Sequence, residues 1–212
     1  MKITLIYDNE TSRDDLIADW GFACLVEFDN HRILFDTGAD GRILLKNMAA
    51  LKIEPESIEI VFISHLHWDH TGGLQSFIRL NPDVRLYIPA NYDPPADARK
   101  VVGIKDPVQI EKNLFSTGLL EEIEQSLIIK TAHGIVTVVG CSHSGVENIL
   151  KSAGKHGKNF ALIGGLHGFE NYEALRDLVH VCPTHCTQHK TEIKEAYPKK
   201  YIDGGAGKII EL

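Results

Sequence analysis

Sulfur is scarce in this chain and follows no pairing pattern. Four cysteines, Cys24, Cys141, Cys182 and Cys186, stand among 212 residues, with no CxxC pair of the kind used by redox motifs and zinc ribbons. No disulfide framework is needed, since a chain of this length can bury roughly 70% of its unfolded surface. The opening segment Met1-Lys2-Ile3-Thr4-Leu5-Ile6-Tyr7-Asp8 meets charge too early to read as a secretory apolar region, so no export is expected. Reduced thiols and a cytoplasmic location are the expectation. No apolar run approaches the ~20 residues of a membrane span. Positive charge is in deficit, with 22 Lys and Arg against 29 Asp and Glu and a net charge of −7. That balance argues against nucleic acid or an anionic membrane as partner and leaves a small-molecule substrate. Such a substrate can still be phosphorylated, because a metal ion dominates its local field. Internal repeats and low-complexity segments are absent.

What the chain does have is histidine, eleven in all, and their positions matter more than their number. Short apolar runs at 3–7, 22–28 and 32–35 predict strands, the last two joined by Asp29-Asn30. Asp40 predicts the cap of a helix to about residue 51, with Ile43, Leu44, Met48 and Leu51 on one face. Residues 58–63 are almost continuously apolar, the pattern of a strand covered on both faces. That strand ends at Ser64-His65, placing a histidine-rich loop at its C-terminal end.

Further on, 72–80 predicts a short helix, 85–88 a strand, and 127–130 with 135–139 a hairpin. Ser144-Gly145-Val146-Glu147 has the pattern of a capping box opening a helix to about 153. Strands at 160–163, 180–182 and near 208–211 and helices at 172–179 and 187–196 complete the reading. The stretch 89–124 is polar, holds Pro94, Pro95 and Pro107, and has little periodicity. A connection that long inside a compact domain reads as an active-site lid. The whole, residues 1–212, reads as a single α/β domain of two mixed sheets face to face with helices outside.

His65-Leu66-His67-Trp68-Asp69-His70 puts four ligand-type side chains within six residues. On extended backbone, residues two apart point the same way, so His65 and His67 can grip one cation while Asp69 and His70 turn to an adjacent position. Imidazole nitrogen with carboxylate oxygen suits a divalent ion, zinc in the first place, with iron, manganese or nickel also compatible. His143 in Gly140-Cys141-Ser142-His143-Ser144 and His185 in Pro183-Thr184-His185-Cys186-Thr187 likewise follow predicted strands. Asp36, at a strand end, could orient a ligating imidazole through its second ring nitrogen or simply cap a turn. His31, His133, His156, His180 and His189 lack a ligand-like neighbourhood. Cys182 and Cys186 read as small buried hydrophobes.

Ser64-His65-Leu66-His67-Trp68-Asp69-His70-Thr71-Gly72-Gly73 resembles the motif of the metallo-β-lactamase superfamily, and Asp36-Thr37-Gly38 resembles its early aspartate turn. The resemblance implies the αβ/βα sandwich and one or two divalent ions per chain. His65, His67 and His143 would hold one ion, and Asp69, His70 and His185 the other. Tyr7-Asp8-Asn9, Glu124-Gln125-Ser126-Leu127, Gly164-Gly165-Leu166-His167 and the segments around His143 and His185 are similar to one subgroup. It is labelled dihydropterin-methyl-ribofuranosylaminobenzene-phosphate synthase and is associated with methanopterin biosynthesis. That label implies a pterin and a phosphorylated aromatic ribofuranoside as substrates.

The chain departs from the pattern at one point. Hydrolytic relatives carry a metal-bridging aspartate between the ligands matched by His143 and His185. Here the only aspartate in that interval is Asp177, on a predicted helix, and the matching strand end reads Gly164-Gly165-Leu166-His167. Either water or hydroxide alone joins the ions, or the second ion is weakly held. His167 could be a ligand or a substrate contact.

The chemistry implied is attack by metal-bound hydroxide on an ester, amide or phosphoester, or a related lyase or transferase step, with Asp69 also able to accept a proton. A general lactonase, thioesterase or phosphodiesterase is the alternative. Oxygen-reducing diiron relatives typically have Glu at the position of His67, which disfavours a redox iron protein. The near-complete ligand set disfavours a non-catalytic binding module.

Overall fold

A computed structural model describes all residues 1–212. In chain order the elements begin with strands β1 (Lys2–Tyr7), β2 (Ala23–Phe28) and β3 (His31–Phe35), then helix α1 (Gly41–Ala50) and β4 (Ile60–Phe62). Helices α2 (Trp68–Thr71) and α3 (Leu74–Leu80) follow, then β5 (Arg85–Pro89), β6 (Lys100–Ile104), β7 (Val108–Glu111), β8 (Leu114–Ser116), β9 (Leu127–Thr131) and β10 (Gly134–Val139). Helix α4 (Val146–Ala153), β11 (Asn159–Gly165), β12 (His180–Thr184), α5 (Lys190–Ala196) and β13 (Ile209–Glu211) end the chain. They fall into two compact units, one of Met1–Gly103 with Gly204–Leu212, the other Ile104–Asp203.

The first unit carries a seven-stranded sheet in the order β13-β1-β2-β3-β4-β5-β6. It is antiparallel from β13 to β3 and parallel from β3 through β5. The β2–β3 hairpin turns on Asp29 and Asn30, both at positive φ (47° and 67°). That left-handed pair matches the twist of the strands it joins. Helix α1 starts where the sequence predicts, the Asp40 carboxylate accepting from the Arg42 backbone N–H at 2.7 Å. Leu44 and Met48 of α1 and Leu74, Phe77 and Ile78 of α3 pack with Leu25, Leu34, Val61 and Leu86 in one apolar cluster. All three residues of β4 are fully buried, as its unbroken apolar run requires.

The second unit carries a six-stranded sheet in the order β12-β11-β10-β9-β8-β7. Here β10, β11 and β12 are parallel neighbours, with Val139 paired to Gly164 and Gly165 to Thr184. Their C-terminal ends therefore lie side by side, the edge at which parallel sheets bind ligands. Ile149 and Leu150 of α4 and Ile193 of α5 pack with Val139, Leu162 and Val181.

Several expected elements differ. The second half of the histidine motif is not loop: Trp68–Thr71 winds into one helical turn, braced by the Thr71 hydroxyl on the His67 carbonyl at 3.1 Å. The stretch 89–124 contains three short strands. The 172–179 helix shrinks to a 3-10 turn, Tyr172–Leu175, leaving Asp177 outside it. The Ser144 capping box does not form. Gly145 (φ 88°) is the N-cap residue of α4, and the Ser144 hydroxyl is used elsewhere.

Candidate metal centre

In the first unit the motif follows β4 on extended backbone, and His65 and His67 face one another with Nε2 and Nδ1 3.1 Å apart. Two nitrogens of a tetrahedral zinc site, each ~2.0–2.1 Å from the ion, lie about 3.3 Å apart. The pair thus has the bite of a single cation. Ser64 steadies the other edge of His65, its hydroxyl 2.9 Å from Nδ1.

Asp36 organises this cluster. It is fully buried at the end of β3 with φ 54°. Its carboxylate accepts from the Ser64 N–H and the Ser64 hydroxyl, each at 2.7 Å, and lies 2.7 Å from His70 Nδ1. With Nδ1 so engaged, His70 turns Nε2 toward Asp69 Oδ2, 3.9 Å away. Thr37 fixes the same residue by its backbone, with N–H and hydroxyl both donating to the His70 carbonyl at 2.8 and 2.9 Å. The two glycines after the motif permit this closeness: a Cβ at Gly72 would lie 2.0 Å from the Ala39 oxygen, and one at Gly73 2.2 Å from the Thr37 oxygen. The Trp20 indole N–H donates to Asp69 Oδ2 at 2.8 Å.

In the second unit His143, His167 and His185 all stand just past the ends of β10, β11 and β12. Ser142, His167 and His185 adopt positive φ (57°, 48° and 48°), a conformation costing of order 1–3 kcal/mol that persists where the surroundings impose it. Those surroundings are hydrogen bonds. The Ser142 hydroxyl donates to the Gly165 carbonyl at 2.8 Å, and the Thr187 hydroxyl accepts from the Leu166 N–H at 2.9 Å. Buried Glu124 accepts from both the N–H and the hydroxyl of Ser144 at 2.9 and 2.8 Å. A carboxylate thus grips a serine beside the first candidate ligand of each unit, Asp36 holding Ser64 beside His65 and Glu124 holding Ser144 beside His143.

His143 and His167 have ring centroids 4.9 Å apart. They line a cleft of about 370 Å³ together with Phe169, Glu147 and Asn171. Cys141 and Cys186 lie buried next to His185. A hydrogen bond from Cys141 pushes the Cys186 thiol down to about 6, burial opposing it and His185 assisting.

The first unit therefore gathers His65, His67, Asp69, His70 and Asp36, and the second gathers His143, His167 and His185. The other five histidines have ordinary surroundings. His31 pairs with Glu59, His189 with Glu170 and Glu192, His133 and His180 lie against Phe160, and His156 against Phe115. Trp20 was missed because nothing local marks it, and Ser142 was marked only as part of the segment around His143 that carries the resemblance. Glu124 carried a signal only through the Glu124-Gln125-Ser126-Leu127 resemblance.

The donors fit a divalent metal, since paired nitrogens at one ion's bite and a carboxylate beside a buried imidazole are the ligand chemistry such ions take. The chain matches the model of the metallo-β-lactamase superfamily over residues 21–146, more than half its length, and belongs to that superfamily. Its sequence is 27% identical to 7,8-dihydropterin-6-methyl-4-(β-D-ribofuranosyl)-aminobenzene-5′-phosphate synthase of Methanocaldococcus jannaschii. The alignment of 280 residues covers 99% of this chain and 95% of that protein. Tm1679, described as a metal-dependent hydrolase of the β-lactamase superfamily, matches with a TM-score of 0.82 at 25% identity, covering 100% of this chain and 99% of that one. YhfI from Bacillus subtilis shares the fold at a TM-score of 0.70 and 14% identity, over 100% of this chain and 98% of that one. The expected metallo-β-lactamase-like fold with two mixed sheets is thus the fold of this chain. It implies divalent metal binding and places the protein among metal-dependent hydrolases and related enzymes. No helix is long and apolar enough to cross a membrane.

Proposed function

We propose that this protein is a metal-dependent enzyme of the dihydropterin-linked synthase type, residues 1–212 serving as one metallo-β-lactamase-like domain. Its substrates would be small molecules, a pterin and a phosphorylated aromatic ribofuranoside. The observation that carries the metal assignment is the 3.1 Å approach of His65 Nε2 to His67 Nδ1. The substrate class rests on the match to the Methanocaldococcus synthase, which spans nearly the full length of both chains. The second reading, a general hydrolase of esters or phosphoesters, is favoured by the likeness to Tm1679.

His65, His67 and His143 would hold one ion, and Asp69, His70 and His185 a second, zinc in the first place, with iron, manganese or nickel also compatible with these donors. When bound, such ions polarise the group under attack and lower the pKa of water from ~15.7 to about 7. The chain's own residues do the rest. Asp36 keeps His70 Nδ1 engaged, so that Nε2 is the donor. Asp69 can accept a proton as well as ligate. His167, beside His143 on the 370 Å³ cleft, is placed to hydrogen-bond a substrate or pass a proton. The stretch 89–124 would act as the lid.

Elemental analysis of protein purified without added metal should find a divalent ion, and His65→Ala, His67→Ala and His143→Ala should each remove most of it along with turnover. Full metal content and turnover in His143→Ala would overturn the ligand set. Condensation of the two named substrates, set against a panel of lactones, thioesters and phosphodiesters, separates synthase from general hydrolase. Limited proteolysis should nick 89–124 in the free protein, with substrate giving protection. Cleavage that substrate leaves unchanged would count against a lid.

A further inference from the structure

Cys141, His185 and Cys186 form a donor cluster of their own in the second unit. Their two Sγ atoms and one imidazole nitrogen all lie within 4.8 Å of one another. All three residues are buried, at 3%, 3% and 8% exposure. Around a tetrahedral zinc with Zn–S ~2.3 Å and Zn–N ~2.0–2.1 Å, such atoms stand about 3.5–3.8 Å apart. Small side-chain rotations would close the set on an ion.

The room for this cluster is kept by a residue that carries no side chain. A Cβ on Gly165 would lie 2.7 Å from the Cys186 Sγ and 2.4 Å from the Gly140 oxygen. The glycine is locked in place, its N–H donating to the Gly140 carbonyl at 3.0 Å and its carbonyl accepting from the Ser142 hydroxyl at 2.8 Å. The end of β11 is bare because the thiol of the next loop fills the volume a side chain would need. Apolar packing explains a buried thiol. It does not explain two thiols converging on a buried imidazole held at φ 48°.

We propose that Cys186, with Cys141 beside it, is a sulfur donor to the ion held by His185. The position then has mixed nitrogen and sulfur ligation and prefers thiophilic ions, zinc, cobalt and cadmium, over manganese or magnesium. Each thiol that ligates exchanges its S–H bond for a metal–sulfur bond and releases the proton to solvent. The negative charge that the Gly164-Gly165 strand end lacks is thereby supplied by sulfur. This inference rests on His185 being a metal ligand, and the experiment separates the two ideas.

The full chain, stripped by chelator and reduced, is titrated with cobalt(II) and followed by absorption. A thiolate-to-cobalt charge-transfer band in the near ultraviolet should grow with binding and saturate with it. Cys186→Ser should abolish the band and Cys141→Ser should weaken it, while Cys24→Ser and Cys182→Ser keep it. Cobalt bound by the unmutated protein with visible ligand-field bands but no charge-transfer band overturns the sulfur ligation and leaves the histidine centre standing. Failure to bind cobalt or zinc at all overturns both. The deciding spectrum is that of the unmutated protein, so it does not depend on any variant folding.

Discussion

Asp69 is held from outside by Trp20, whose indole N–H reaches Oδ2 at 2.8 Å although the residue is 50% exposed. A hydrogen bond on that oxygen fixes the carboxylate plane and thereby which lone pairs remain for a metal. Trp20→Phe keeps the ring and deletes the donor. Partners of this kind typically change metal affinity 10–100-fold, and the exposure of Trp20 puts the expected loss near the lower figure. Calorimetric zinc titration should show one weakened binding step in Trp20→Phe, and folding measured by circular dichroism should not change. Unaltered affinity in every step would show that Asp69 needs no such support. Trp68, also exposed, remains in this variant as an internal fluorescence reference.

At the scale of elements, what could be read from sequence is what short-range chemistry decides. The Asp40 cap, the Asp29-Asn30 turn, the buried β4 and the ligand spacing of His65 to His70 each depend on a few neighbouring residues. The failures were set by distant partners. Ser144 left its capping box because buried Glu124, 20 positions away, takes both its donors. The 172–179 helix gave way to a 3-10 turn that buries Leu175, with Leu178 beyond it, in the cluster of Leu162 on β11 and Val181 on β12. The left-handed conformations of Asp36, His167 and His185 are not legible in sequence, because Asp and His tolerate positive φ better than most residues but adopt it only where distant partners such as Ser64 and Thr187 impose it.

The cap itself is testable. The Arg42 guanidinium and the helix N–H groups hold the Asp40 carboxyl down to about 2, against ~3.9 in an unfolded chain. A carboxyl depressed on folding stabilises the protein above its unfolded pKa and loses that effect as pH falls through the folded one. Asp40→Ala should therefore cost about 1 kcal/mol at neutral pH, a cost that fades between roughly pH 4 and pH 2. Urea unfolding of the pair across that range measures it. Because the site is exposed, added salt should shrink the ionic share. A difference that stays constant down to pH 2 would mean the carboxylate charge plays no part.

For the molecule as a whole, the ligand residues proposed run from His65 to His185, so an ion bound by them is linked to the folded state of most of the chain. The unfolded chain offers no assembled site. Bound metal therefore stabilises by RT ln(1 + [M]/Kd), about 2.7 kcal/mol at a hundredfold excess over Kd. For a chain of this size each kcal/mol moves the unfolding midpoint by about 2–4 °C. Removing the metal should then lower the midpoint by roughly 5–11 °C, and adding zinc back should restore it. Residual affinity of unfolded histidines and cysteines for zinc would pull the shift toward the lower figure. His67→Ala should start near the metal-free midpoint and respond less to zinc, because one gripping nitrogen is gone. Differential scanning calorimetry on the metal-loaded, stripped and reloaded protein gives all three midpoints. A midpoint that does not move when elemental analysis shows the ions gone would mean that the histidine loops are held by Asp36 and Glu124 alone, with the metal a passenger on a site already rigid without it.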